Sequence, residues 1–216
     1  MNIALQDTDF GIRTAPDTVR VERLLPGPIE RVWDYLTVGE LRAQWLAAGE
    51  MEPREGGVVD LVFHNNTLTE NDDAPAAKYA KYGGESHLPG RMTDWNPPRL
   101  LAFDWGSGDD ASHVRFELAP QGDKVRLVVT HSRLATRDGM LSVSAGWHAH
   151  LDILRDRMEG REPDGFWRSH ARLEAEYDRR LTRSWAASPH SADASTRPSL
   201  LPSATLARVA DGERPK

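Results

Sequence analysis

HVRFELAPQGDKVRLVVTH, residues 113–131, runs on into DGMLSVSAGWHAHLDILRDRM, residues 138–158, and the hydrophobic rhythm changes between them. In the first stretch Val114, Phe116 and Leu118 alternate with His113, Arg115 and Glu117. After the Gln121-Gly122-Asp123 break, Val125, Leu127, Val129 and His131 again share one side. Successive side chains of a strand point to opposite faces, so one-sided alternation predicts antiparallel strands with one wet face. In the second stretch Trp147, Leu151, Leu154 and Met158 recur at spacings of four, three and four. That is one face of an α-helix, predicted over about 139–159 and ended by Gly160. A sheet followed by a long helix has to bury its apolar face under that helix's stripe, which predicts an α+β domain.

Upstream, the same alternation appears at Val59, Leu61 and Phe63, and at Leu101, Phe103 and Trp105. Gly90 to Trp95 is a further candidate strand, and Thr18 to Leu25 the first one. Pro26-Gly27-Pro28 breaks that first strand, and Ile29, Val32, Trp33 and Leu36 then form a helical stripe with Pro28 in its first turn. Thr37 with Glu40 reads as a capping box for a second short helix, buried through Leu41 and Trp45. Residues 64–89 are polar and too long for a hairpin loop, so they are a lid or an ornament. Beyond Pro163-Asp164, Phe166, His170, Leu173, Tyr177 and Leu181 predict another helix over about 164–182.

Residues 18–183 therefore form the domain. Residues 1–17 are weakly patterned, with Phe10 and Ile12 as candidates to extend the first strand. Residues 184–216 hold seven Ala, six Ser and four Pro without a hydrophobic period, and the expectation for them is a disordered tail.

Composition narrows the function classes. The net charge is −6, without the basic excess that nucleic-acid binding needs. There is no cysteine, which removes disulfides, thiolate nucleophiles and zinc–thiolate sites. No apolar run reaches the ~20 residues of a membrane span. The start has neither basic n-region nor apolar h-region, so the expected location is the cytoplasm. No Gly-x-Ser-x-Gly elbow, Walker sequence or Gly-x-Gly-x-x-Gly is present, and no cofactor is called for. His148 and His150 stand two apart on a helix and face apart, the wrong spacing for one metal, so no metal site is expected.

Several blocks carry a resemblance, running from about Val19 to Gly160: Val21-Glu22-Arg23, Pro28-Ile29-Glu30-Arg31-Val32-Trp33, Leu36-Thr37 and Trp45-Leu46. They continue with Glu52-Pro53-Arg54-Glu55-Gly56-Gly57, Pro97-Pro98-Arg99-Leu100-Leu101, Asp104-Trp105, and Gly146-Trp147 with His150-Leu151 and Leu154. In order and spacing they resemble the START-like (SRPBCC) superfamily, in the branch similar to the C-terminal domain of the activator of the heat-shock-protein-90 ATPase. The resemblance implies a helix-grip fold with a hydrophobic cavity, in a superfamily that includes lipid and sterol carriers and polyketide cyclases.

The expected site is that cavity, between the inward sheet face and the long helix. Its candidate ligand-binding residues are Phe63, Leu101, Phe103, Trp105, Phe116, His131, Trp147 and Leu151. The leading function is binding of a small hydrophobic or amphipathic molecule. A protein-interaction module resembling the chaperone-ATPase activator is one alternative. A cyclase- or hydrolase-like enzyme is the other, and His131 is then the one acid or base to nominate; no catalytic residue is assigned.

Overall fold

The structure, a computed structural model, describes residues 10–186, with side chains as far as residue 181. An 8-stranded sheet is built from β1 (Ile12–Ala15), β2 (Thr18–Pro26), β3 (Ala48–Met51), β4 (Val58–His64), β5 (Glu85–Asn96), β6 (Leu100–Trp105), β7 (Ser112–Gln121) and β8 (Lys124–Ser132). Every pairing is antiparallel, in the order β1-β2-β8-β7-β6-β5-β4-β3. The helices are α1 (Ile29–Thr37), α2 (Gly39–Arg42), α3 (Arg137–Met158) and α4 (Phe166–Ala186). This is an α+β fold in the helix-grip arrangement, with a curved antiparallel sheet around α3.

Register converts the alternation of single strands into one apolar face. Val19, His131, Val114, Phe103 and Met92 lie side by side across β2, β8, β7, β6 and β5. Val21, Val129, Phe116, Leu101 and Trp95 form the next row. α3 lies on this face, and α4 packs on the far side of α3. α3 is therefore buried on nearly every side, His148 and His150 included, and not along a single stripe.

Several boundaries differ from the reading of the sequence. Residues 12–15 do not lengthen the first strand but form a separate β1, which turns at Pro16-Asp17 and pairs back on β2. β3 carries no sequence signal, because Ala48–Met51 is too short to show a period. Pro28 precedes α1 as its N-cap and is not inside its first turn. Thr37 caps nothing: its hydroxyl donates to Trp33 O in the turn behind it, and α2 begins after Val38 without a side-chain cap. The buried residue of α2 is Arg42, not Leu41. The insertion is shorter than 64–89, since β4 keeps His64 and β5 begins at Glu85. α3 starts at Arg137, where Thr136 accepts from Gly139 N at 3.1 Å. α4 starts at Phe166 and runs through 184–186, so these residues are helical; the rest of the expected tail, 187–216, and residues 1–9 lie outside the described residues.

Candidate functional site

Where α3 lies directly on the sheet, the two surfaces interlock. One turn earlier along α3, a cavity of about 150 Å³ opens between α3, the sheet and the first turns of α4. Phe63 of β4, Trp105 of β6 and His131 of β8 form its sheet wall, and Gly146 and Trp147 of α3 face them. These rings touch: Trp105 lies 5.3 Å from Trp147, 5.5 Å from His131 and 5.8 Å from Phe63, centroid to centroid. A Cβ placed on Gly146 meets no atom within 4 Å, so this glycine leaves the α3 wall open.

Leu101, Phe103, Phe116 and Leu151 share the same face but do not line the cavity. Each is 2% exposed or less. They fill the layer behind it: Phe116 packs edge-on against Trp147 at 5.4 Å, and Phe103 stacks on Trp105 at 6.2 Å. The alternation identifies the inward face, but not where along it the covering helix stands off.

The rest of the wall comes from segments whose role the sequence does not announce. The insertion supplies Asn65, Tyr79 and Tyr82, and α4 supplies Phe166, Trp167 and His170. Phe166 and His170 belong to the α4 stripe that reads as core, whereas the insertion has no period to read. The insertion is tied to α4 at its helix start: Thr69 Oγ1 accepts from Phe166 N at 2.9 Å, and Asp72 accepts from Trp167 N at 2.7 Å and Arg168 N at 3.2 Å. Free N–H groups and the helix dipole make that end a good place for a carboxylate. Trp167 Nε1 donates back to Asn66 Oδ1 at 2.8 Å.

His131 has both ring nitrogens engaged. Trp147 Nε1 donates to Nδ1 at 2.9 Å, and Nε2 donates to Ser112 Oγ at 2.8 Å. Burial, with the nearby His113 and Arg133, pushes its pKa down to about 3, so it is neutral at pH 7. A neutral ring with both nitrogens occupied is no general acid or base in this state. His150 also lines the cavity; its Nδ1 donates to Trp45 O at 2.7 Å, and burial pushes it down to about 4. His148 points the other way, into the α3–α4 interface. Its Nδ1 meets Tyr177 Oη at 3.1 Å and its Nε2 lies 3.4 Å from Asp152, which pairs with buried Arg23 at 3.1 Å. Burial, and then the charge of Arg23, lower it to about 2.

A second, polar groove of about 580 Å³ shares Tyr79, Tyr82 and Ser142 with the cavity. Its charges are balanced: Lys78 pairs with Glu174, and Arg137 with Asp178.

A family model described as Activator of Hsp90 ATPase homolog 1-like protein matches residues 26–159, from the end of β2 through α3. The chain belongs to this family. The match ends before α4, so the Hsp90 ATPase activator-like part contributes β3 to β8 and α1 to α3, while β1, all of β2 but Pro26, and α4, which closes the cavity, lie outside it. Among solved structures, a Bordetella parapertussis protein is 43% identical, with a TM-score of 0.67, over 79% of this chain and 90% of its own. CalU16 from Micromonospora echinospora is 18% identical, with a TM-score of 0.56, over 80% and 95% of the two chains. A conserved protein of unknown function from Enterococcus faecalis is 20% identical, with a TM-score of 0.56, over 79% and 89%. The latter two show the START-like fold alone. No curated protein matches. Among the described residues no helix is long and apolar enough to cross a membrane.

Proposed function

We propose that this domain binds a small hydrophobic or amphipathic molecule in the cavity between α3, α4 and the sheet, as a cytoplasmic protein. The observation that carries the reading is the wall itself: Phe63, Trp105, Trp147, Phe166 and Trp167 present rings, and no Lys, Arg, Asp or Glu lines it. Such a surface gains free energy by losing water, at roughly 25 cal/mol per Å² of apolar area, and holds no Lys, Arg or carboxylate to pair with a charged ligand. A benzene-sized ring is the scale that a space of about 150 Å³ accepts. Catalysis at His131 is disfavoured by its two engaged nitrogens. The large exposed apolar side chains Ile12, Leu24, Val38 and Val58 lie on β1, on β2, between α1 and α2, and on β4, which gives little support to a protein-docking reading.

Titration with a panel of apolar aromatics and lipids is expected to change tryptophan fluorescence, because Trp105, Trp147 and Trp167 stand in the wall. Gly146→Leu is expected to abolish the response by filling the open space, without lowering the melting temperature, since glycine is a poor helix residue. If no compound alters the fluorescence of the unsubstituted protein, the ligand-binding reading fails.

A further inference from the structure

We infer that the cavity takes a neutral ring compound that itself supplies a hydrogen-bond donor, a hydroxyl or a ring N–H. The inference rests on the ligand-binding reading above and specifies the chemistry of that ligand.

Most buried donors of the wall are engaged within the protein. Trp147 Nε1 gives its hydrogen to His131, and His131 gives its own to Ser112. Trp167 Nε1 donates to Asn66 Oδ1, and His150 Nδ1 to Trp45 O. Asn65 Nδ2 donates to Tyr82 O at 3.2 Å. Tyr79 Oη donates to Glu174. Trp105, Ser86, Tyr82, His87, Ser142 and His170, which also line the cavity, stand outside this set.

Two acceptors are left over. Asn65 is 9% exposed, and its Oδ1 is buried with no partner. Rotating the amide does not relieve this, because it sets Oδ1 against the Tyr82 carbonyl. His150, held neutral with its proton on Nδ1, presents a lone pair at Nε2. A buried acceptor without a donor costs free energy in the empty protein, and a ligand that brings a donor recovers it. A carboxylate brings only acceptors and a charge; no Lys or Arg lines the wall, and its His87 already stands against Asp60 and Glu85.

Phenol, toluene and benzoate test the inference on the full chain at pH 7.5, because the first two match in shape and differ in the donor. Phenol and toluene are both expected to change tryptophan fluorescence, and benzoate is not. Asn65→Leu is expected to weaken phenol about fivefold to tenfold, the worth of one hydrogen bond, while toluene stays within about twofold. Asn65 also ties the insertion to Tyr82, so a second readout uses the unaltered protein: the ¹⁵N resonance of His150 Nε2 is expected to move with phenol and not with toluene. A phenol-specific loss in Asn65→Leu, or a phenol-specific shift of His150, supports the inference. The absence of both, or benzoate binding as tightly as phenol, overturns it and leaves the ligand-binding reading standing. If phenol and toluene alike produce no change up to their solubility, the ligand-binding reading falls with it.

Discussion

His131 owes its position to the alternation of its own strand and its lack of a free nitrogen to partners from elsewhere in the chain. The alternation in β8 puts it on the inward face, where it is 1% exposed. Its two nitrogens are then taken by Trp147 and Ser112, residues that pairing and helix docking bring to it. His131→Phe fills the space but leaves the Trp147 N–H buried without an acceptor. The expected result is a loss of about 1–3 kcal/mol in urea unfolding. If stability is unchanged and only ligand affinity falls, His131 is an anchor and not part of the core. Arg42 is the opposite case, a charged residue that nothing in its neighbourhood marks as buried. It is 1% exposed and donates to the carbonyls of Leu36, Thr37, Ala48 and Gly49. Two of these are at the carbonyl end of α1, where the helix dipole favours a cation. Burial nevertheless pulls its pKa down to about 10, which still leaves it charged at neutral pH.

α4 and the insertion depend on each other. The stripe Phe166, His170, Leu173, Tyr177 and Leu181 is buried as its spacing demands. The N–H groups at its start, by contrast, are satisfied by Thr69 and Asp72, more than 90 residues earlier in the chain. The insertion thus anchors α4 and brings Asn65, Tyr79 and Tyr82 to the cavity wall. Asp72→Ala removes the acceptor for Trp167 N and Arg168 N and is expected to cost about 1–2 kcal/mol, read from urea midpoints. An unchanged midpoint contradicts this capping role. Tyr177 secures the other end of the same stripe, accepting from Gly11 N at 2.7 Å and meeting His148.

At the scale of the whole molecule, the buried histidines make stability depend on acid. His131, His148 and His150 are held neutral, at about 3, 2 and 4, and His170 is lowered too; burial is the leading cause in each. The unfolded chain takes up these protons near pH 6.5, whereas the folded one does not. Acid therefore favours the unfolded state. The contribution of these residues is complete above about pH 7 and is lost as the pH falls through 6.5 toward the folded values. Each one weighs up to about 1.4 kcal/mol per pH unit in that window. Urea midpoints at pH 7.5, 6 and 5 are expected to fall steadily. Equal midpoints at pH 7.5 and 5 contradict neutral burial of these rings.

Six of the eight strands, the two long helices and the inward face of the sheet are written in the sequence pattern; β1 and β3 are not. Each depends on a period of two or 3.6 residues that local burial imposes on neighbouring positions. Phe63, Trp105, His131 and Trp147 were legible as inward-facing for the same reason. The tertiary structure alone decided that these four line a cavity while Leu101, Phe103, Phe116 and Leu151 pack behind them. Periodicity says which side of a strand is dry, but not how far away the covering helix lies. α4 and an insertion without any period supply the rest of the cavity wall. Asn65 Oδ1 without a donor and His131 without a free nitrogen follow from packing between distant segments, which no local pattern records.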